Sequence, residues 1–307
     1  MALPLERRLS LGHGHYRMRG VHGEPMRVAR DLLKSVVFIG DRDECGFASW
    51  GTAFFLLHEG AVYLVTARHV AEARDEATFH IHFNMTDGTA KSSLIDLTEP
   101  NQRRLKWFFA EDPNVDLAVM LLHLDFPRMG IECVAIKSDA SIKRVFPRSE
   151  VGCGDICYAI GLFQRHGGKG RILPAVHTGH IAMMSDSTEP IPVNDNGREL
   201  DVVGYLVELS NLPGLSGAPV FVRQGLELNM TLADEQEAIV TVSTPELKLL
   251  GVWQGSWSAP GEASGERVKL GMGIVVPAEM LLDLLNSEPT KAHRHAWIKY
   301  ENQATAD

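Results

Sequence analysis

Short apolar runs separated by turn-forming residues are the feature that most constrains the fold of this chain. Residues 51–57, 61–66 and 218–223 are typical of these runs. Such lengths, bounded by Gly, Asn, Asp, Pro or Ser, indicate β-strands, and no regular alternation with long helical segments accompanies them. The sequence therefore predicts an all-β fold. The other predicted strands cover residues 35–40, 78–83, 93–97, 106–110, 117–122, 156–162, 177–184, 204–210, 248–255 and 272–276.

One helix is expected near the C-terminus, from Ala278 to about Leu285. Its apolar residues recur at the spacing that places them on one helical face. They are Met280, Leu281, Leu284 and Leu285. The polar segments 1–30 and 289–307 are expected to be an N-terminal extension and a C-terminal tail outside the folded body.

Composition and charge limit the classes of partner. The 307-residue chain carries a formal charge of −9, from 39 acidic and 30 basic residues. This acidic balance argues against nucleic-acid and anionic-membrane partners. No apolar run approaches the roughly 18 residues of a membrane-spanning helix, and the N-terminus lacks the basic-then-apolar order of a secretory signal. These features predict a cytoplasmic protein.

The four cysteines are Cys45, Cys133, Cys153 and Cys157. Cys153 and Cys157 would lie about 13 Å apart on one strand, which is beyond the reach of a disulfide. Their spacing does not fit a metal site either. We expect four free and buried thiols, in keeping with a reducing compartment.

Ser216 lies in a tight, glycine-flanked turn immediately before an apolar strand, which is a typical place for a nucleophile. A serine hydroxyl needs a base within hydrogen-bond reach and a third group that orients the base. Upstream, His69 follows the strand at 61–66, and Asp116 precedes the strand at 117–122. Of the known triad orders, His, Asp, Ser is that of the chymotrypsin type.

Several motifs in family order resemble the trypsin-like (chymotrypsin-fold) serine peptidase superfamily, and its bacterial HtrA-type branch most. The resemblance covers roughly residues 35–285, and the segment after it is too short for a PDZ domain. The motifs are Gly51-Thr52-Ala53-Phe54, Thr66-Ala67-Arg68-His69, Asp116-Leu117-Ala118-Val119, Gly154-Asp155-Ile156, Thr178-Gly179-His180-Ile181, Gly214-Leu215-Ser216-Gly217 and Gly273-Ile274-Val275-Val276-Pro277.

The resemblance implies two six-stranded antiparallel β-barrels, packed with the active site in the cleft between them. The first barrel, at 31–145, would carry His69 and Asp116, and the second, at 146–288 with its closing helix, would carry Ser216. The backbone N–H groups of Gly214 and Ser216 would form the oxyanion hole. The family's chemistry uses no cofactor and no metal ion.

The family pattern also implies a pocket for the residue before the scissile bond. Ser210 would form its floor, and its walls would come from the strands near Val252, Trp253, Gly271 and Gly273. A serine floor offers no charge to a basic side chain, so we expect cleavage after medium or large apolar residues. Leu215 replaces the acidic residue that pairs with a newly cut N-terminus, which argues against activation by propeptide cleavage.

The sequence therefore predicts a serine endopeptidase, an intracellular bacterial effector or quality-control enzyme that acts on protein or peptide substrates. A regulatory protein partner is among the expected means of its control. The alternative is a catalytically silent trypsin-like fold that serves as a peptide-binding or scaffold module. Gly214–Ala218 also nearly fits the nucleophile elbow of α/β-hydrolases, with Asp283 and His293 or His295 completing a triad. That elbow leads into a helix, whereas residues 219–222 are expected to continue as a strand.

Overall fold

The structure, a computed structural model, describes residues 28–44, 46–73, 77–99, 105–142, 151–163, 168, 170–195, 198–209, 213–231, 237–260 and 267–304. Most of these residues lie in β-strands, and the all-β class that the sequence predicts is confirmed. The first half contains, in chain order, α1 (Arg30–Lys34), β1 (Val36–Asp43), β2 (Gly46–His58), β3 (Ala61–Thr66), α2 (Arg68–Ala71), β4 (Thr78–Asn84), β5 (Ala90–Asp96), β6 (Trp107–Phe109), β7 (Ala118–Leu122), β8 (Ile136–Lys137) and α3 (Ser138–Ser141).

The first half forms one sheet in the order β5-β4-β1-β2-β3-β7-β6, with β8 pairing in parallel with β2. The expected six-stranded barrel is not confirmed here, because the pairings among the described residues do not join β5 to β6. β6 is only three residues long, so its ladder is limited to its pairs with β7. Part of the connection between β5 and β6, residues 100–104, lies outside the described residues.

The second half forms a closed antiparallel barrel in the order β10-β13-β16-β15-β14-β9, as predicted for this half. β9 closes it by pairing with both β10 and β14. The elements of this half are β9 (Ile156–Gly161), β10 (Ala175–Met183), β11 (Ile191–Asp195), β12 (Arg198–Val202), β13 (Tyr205–Glu208), β14 (Pro219–Thr231), β15 (Glu237–Pro260), β16 (Arg267–Pro277), α4 (Ala278–Asn286) and α5 (Glu288–Ala304).

Two hairpins extend beyond the predicted strands. β14 and β15 continue as a two-stranded ribbon from the pair Gly225–Ser243 to the pair Thr231–Glu237, after a register shift that follows Arg223. β11 and β12 form a separate hairpin that the sequence analysis does not predict. Both ribbons lie outside the six-stranded ladder, so their sequences need not carry the apolar runs from which core strands are predicted.

The apolar core has three parts, and one of them joins the two halves. One cluster fills the closed barrel and includes Tyr205 and Trp253. A second cluster lies within the first half. The third contains Phe54 of β2 together with Phe221 of β14 and Leu281 of α4, so the halves share a continuous core. This arrangement explains why β7 and residues 51–56 of β2 are buried on both faces.

The C-terminal segment differs in part from its prediction. The helix expected at 278–285 is present as α4. Residues 288–304, however, form α5, and the full burial of Arg294 shows that this segment packs on the folded body rather than lying outside it. The sequence of α5 shows no apolar face from which its packing could be predicted. The side chain that anchors this helix is an arginine, which is held by hydrogen bonds to Tyr63 and Glu59. The segment 1–27 lies outside the described residues.

Three of the cysteines are free, as expected, and Cys45 lies outside the described residues. Burial raises the pKa of Cys133 and of Cys157 to about 12, so both remain protonated thiols. Cys153 is exposed and Cys133 is only partly buried, which corrects the expectation that every cysteine is buried. It lies in the turn before β9 rather than inside the strand.

Candidate active site

The pairing of β3 with β7 brings His69 and Asp116 together. These strands are antiparallel, and Thr66 pairs with Ala118. The chain that leaves β3 and the chain that enters β7 therefore lie at the same end of the sheet. His69 follows β3 in the single-turn helix α2, and Asp116 precedes β7 by two residues.

Asp116 binds His69 through two contacts. Its Oδ1 accepts a hydrogen bond from the backbone N–H of His69 at 2.9 Å, and its Oδ2 lies 2.6 Å from His69 Nδ1. A carboxylate can only accept, so Nδ1 is the nitrogen that carries the proton. In the neutral imidazole, Nε2 is then the basic nitrogen. The Asp116 side chain is 13% exposed and that of His69 is 52% exposed, so the base is accessible while its partner is shielded.

Ser216 lies in a turn whose shape depends on two glycines. Gly214 and Gly217 have φ angles of +100° and +83°, a region that residues with a Cβ rarely adopt. A Cβ on Gly214 would also lie 2.9 Å from Leu162 Cδ2, and a Cβ on Gly217 would collide with the carbonyl of Thr52. Both positions therefore require glycine for conformation and for space.

The Ser216 turn packs against the segment that carries His69. A Cβ on Gly217 would be 3.0 Å from the backbone nitrogen of Ala67, two residues before His69. Gly51 lies between the Ser216 turn and the helix α2 that carries His69. A Cβ on Gly51 would be 2.8 Å from Val70 Cγ2 in α2 and 3.0 Å from the Ser216 carbonyl oxygen. The structure therefore brings all three predicted triad residues into one region, where the two halves meet.

The Ser216 hydroxyl and the nearby backbone N–H groups have few internal partners. Ser216 Oγ lies 3.4 Å from the carbonyl oxygen of Gln254, at the long end of the hydrogen-bond range. Within the described part of the chain, no acceptor binds the N–H of Gly214 or of Ser216. The next two N–H groups are used, because Gly217 donates to the Trp253 carbonyl and Ala218 to that of Leu215.

The predicted pocket residues have different surroundings. Val252 and Trp253 are only 0% and 1% exposed, so their side chains lie in the core, and the Trp253 ring packs directly on Gly273. Gly271 has a φ of +73°, and a Cβ there would meet no atom within 4 Å, so this position borders open space. Ser210 lies outside the described residues. The pocket remains a prediction.

A second serine–histidine pair lies in the first half, and the sequence analysis did not predict it. Ser138 Oγ is 2.8 Å from His58 Nδ1, and His58 Nε2 is 3.2 Å from Asn286 Oδ1. Ser138 and His58 are 5% and 7% exposed, and burial lowers the pKa of His58. Because both ring nitrogens already have partners and the serine is shielded, this pair joins β2, α3 and α4 rather than forming an accessible site.

Sequence reasoning also missed Thr52, which connects the first half to the Ser216 turn. Its backbone N–H donates to the Ser216 carbonyl at 2.9 Å, and its hydroxyl donates to the Gly214 carbonyl at 2.7 Å. The sequence does contain one signal for this role, a threonine inside a strongly apolar strand. A buried hydroxyl requires a hydrogen-bond partner, so this threonine could have been expected to bind a neighbouring segment.

Other kinds of site receive no support within the described residues. No group of three His, Cys, Asp or Glu side chains there is placed to hold a metal ion. None of the described helices is long and apolar enough to cross a membrane.

Comparison with known proteins does not place the chain in a family. No protein-family model matches it, and no curated protein is significantly similar to it.

Proposed function

We propose that this protein is a trypsin-like serine endopeptidase that hydrolyses peptide bonds through His69, Asp116 and Ser216. The observation that carries the proposal is the double contact of Asp116 with the backbone N–H and the imidazole of His69. This contact fixes both the tautomer and the direction of the ring, which are the two properties that a general base for serine needs. The packing of the Ser216 turn against Ala67 supports the same assignment.

In the proposed acylation step, Ser216 Oγ attacks the carbonyl carbon of the scissile peptide. Its proton passes to Nε2 of His69, and Asp116 stabilises the imidazolium that forms. The tetrahedral intermediate then collapses as the C–N bond breaks, and the leaving amine takes the proton from His69. General acid–base transfers of this kind each contribute roughly 10²- to 10⁴-fold to the rate.

In the proposed deacylation step, water attacks the acyl ester on Ser216. His69 takes the proton of this water and returns it to Ser216 Oγ as the ester bond breaks, which regenerates the enzyme. In both steps the N–H groups of Gly214 and Ser216 stabilise the oxyanion, and losing one such donor costs about 3 kcal/mol in comparable enzymes. The chain's own residues supply every group that these steps need.

For the substrate, we propose cleavage after medium or large apolar residues. The open space beside Gly271 is consistent with a pocket at this position. Ser210, the predicted floor, would add a neutral hydroxyl. The acidic balance of the chain does not contribute to this specificity, because charged residues are not expected in the pocket.

Digestion of a peptide library tests the proposal. The full chain and its Ser216→Ala variant are incubated with the same mixed-sequence peptides, and the products are identified by mass spectrometry. We expect internal cleavage after apolar residues by the wild type and none by the variant. Cleavage that persists in Ser216→Ala would contradict the triad, and strict cleavage after Lys or Arg would contradict the pocket. A folded wild type that binds peptides without cleaving them would support the binding-module alternative instead.

A further inference from the structure

Thr52 lies in the middle of β2, and its side chain is fully buried. Its hydroxyl oxygen accepts a hydrogen bond from the backbone N–H of Leu162 at 2.9 Å and donates to the carbonyl oxygen of Gly214 at 2.7 Å. The Leu162 N–H can only donate, so the hydroxyl proton of Thr52 is left to point at Gly214. The three groups form one directed chain of hydrogen bonds from Leu162, directly after β9, through β2 to the Ser216 turn.

Thr52 also binds the turn through its backbone. Its N–H donates to the carbonyl oxygen of Ser216 at 2.9 Å. Thus a single residue holds the C=O groups of Gly214 and of Ser216, whose N–H groups are proposed to bind the oxyanion. Each peptide unit is planar, so Thr52 holds the whole Gly214–Leu215 peptide and the whole Ser216–Gly217 peptide. The Ser216 N–H belongs to the Leu215–Ser216 peptide, which lies between these two held units, and the Gly214 N–H belongs to the peptide directly before them.

The surroundings leave little room for the Thr52 hydroxyl to move. A Cβ on Gly161 would lie 2.9 Å from Thr52 Oγ1, 2.9 Å from Leu215 Cδ2 and 3.0 Å from Ala218 Cβ. The Thr52 carbonyl is held as well, since the Thr66 hydroxyl donates to it at 2.7 Å. Thr52 is therefore fixed at its N–H, its C=O and its side chain, which is the property that a positioning residue needs.

We propose that Thr52 is the positioning residue of the oxyanion hole. Its hydroxyl holds the Gly214–Leu215 peptide and its backbone N–H holds the Ser216–Gly217 peptide, on either side of the peptide that carries the Ser216 N–H. This inference rests on the proposed endopeptidase function and extends it to a residue outside the triad. Thr52 acts through Gly214 and Ser216 and does not itself contact the substrate. A substitution changes only the part of this role that belongs to the hydroxyl, so serine can replace threonine and valine cannot.

The test compares Thr52→Val and Thr52→Ser with the wild type. The control is Thr290→Val, which removes an equally buried, hydrogen-bonded threonine hydroxyl at the start of α5, away from the turn. The first readout is the second-order rate of labelling by an alkyl fluorophosphonate, below the unfolding temperature of every variant. We expect Thr52→Val to label about 10- to 100-fold more slowly, which is less than the loss of a complete oxyanion donor. Thr52→Ser and Thr290→Val should label at rates close to the wild type.

The second readout does not depend on activity. Amide hydrogen exchange is measured in the peptide that spans residues 213–218. Thr52→Val should raise exchange in this peptide, whereas Thr52→Ser and Thr290→Val should not. Unchanged exchange in Thr52→Val, or labelling of it at the wild-type rate, would overturn the inference, as would equal slowing in Thr52→Ser. A folded wild type that does not label at all would count against the endopeptidase function, while the exchange data would still decide whether Thr52 holds the turn.

Discussion

Arg294 Nη1 in α5 donates a hydrogen bond to the hydroxyl of Tyr63 in β3 at 3.1 Å. Arg294 is fully buried, and its other contacts are to the carbonyl of Leu285 at 2.8 Å and to Oε2 of Glu59 at 2.6 Å. β3 is the strand that leads into α2 and His69. The C-terminal helix is therefore attached to the strand that positions the proposed base, although the two are far apart in sequence.

Arg294→Ala should lower the free energy of unfolding by roughly 3 kcal/mol. The substitution leaves the Tyr63 hydroxyl and the Leu285 carbonyl without their donor in a buried position, and each such group costs about 1–3 kcal/mol. Urea denaturation measures the change. The control is Lys299→Ala, an exposed change on the same helix that should stay within about 0.5 kcal/mol. Equal effects of the two substitutions would contradict the anchoring role of Arg294.

Gly217→Ala should remove activity, whereas Gly60→Ala should not. The two glycines have similar φ angles of +83° and +80°, so each substitution adds a comparable backbone strain of about 1–2 kcal/mol. A Cβ at Gly60 meets nothing within 4 Å, but at Gly217 it would collide with the Thr52 carbonyl and the Thr66 hydroxyl. We expect a larger loss of stability and loss of fluorophosphonate labelling for Gly217→Ala alone. Wild-type labelling in that variant would contradict the packing described for the turn.

Glu279 should make the stability of the protein depend on pH. The pKa of Glu279 is raised from 4.5 to about 7, mainly by burial and in smaller part by the neighbouring Asp283 charge, against a backbone hydrogen bond that lowers it. Its Oε2 has no hydrogen-bond partner among the described residues. The folded state therefore holds this proton more tightly than the unfolded state. Stability should fall as the pH rises from about 4.5 to 7, and the loss should be complete above pH 7, reaching roughly 2–3 kcal/mol.

Glu279→Gln isolates this effect, because glutamine keeps the shape of the side chain and does not titrate. Urea unfolding at pH 5 and pH 8 should show a gain in stability from the substitution that is larger at pH 8. A gain that does not change with pH would mean that Glu279 is not the group responsible.

Asp116→Asn should reduce the rate of fluorophosphonate labelling by about 10³- to 10⁴-fold with little loss of stability. An amide that donates to Nδ1 would place the imidazole proton on Nε2, where it blocks the transfer from Ser216. The matched control is Asp112→Asn, in the exposed turn before Asp116, which should label normally. Normal labelling of Asp116→Asn would show that the contact with His69 is structural only.

The sequence predicted the elements that carry an apolar signal. β3 lies at its predicted bounds, and α4 was found from apolar residues on one face. His69 and Asp116 could be placed together because each lies at the end of an apolar strand. Their contact depends on the pairing of Thr66 with Ala118. Local sequence patterns do not specify this pairing, and only the family resemblance implied that the two residues meet.

The features that escaped prediction depend on polar contacts between distant segments. The burial of Arg294 is stabilised by Tyr63 and Glu59, more than 200 residues away, so α5 looks like a solvated tail in sequence. Thr52 looks like an ordinary strand residue until Gly214 and Leu162 are placed beside it. Closure of the first sheet depends on pairing between end strands, which local patterns do not specify.

The central claim is that Ser216 is a nucleophile activated by His69. The chain offers a matched control pair, Ser138 and His58. Ser138 also lies beside a histidine, His58, but both residues are buried. The variants to compare with the wild type are therefore Ser216→Ala, His69→Ala, Ser138→Ala and His58→Ala.

The measurement is the mass of the intact protein over time with an alkyl fluorophosphonate, followed by mapping of the modified peptide. The account predicts one adduct on Ser216 in the wild type, in Ser138→Ala and in folded His58→Ala, and none in Ser216→Ala or His69→Ala. An adduct that persists in Ser216→Ala, or a correctly folded wild type that stays unmodified, would contradict it.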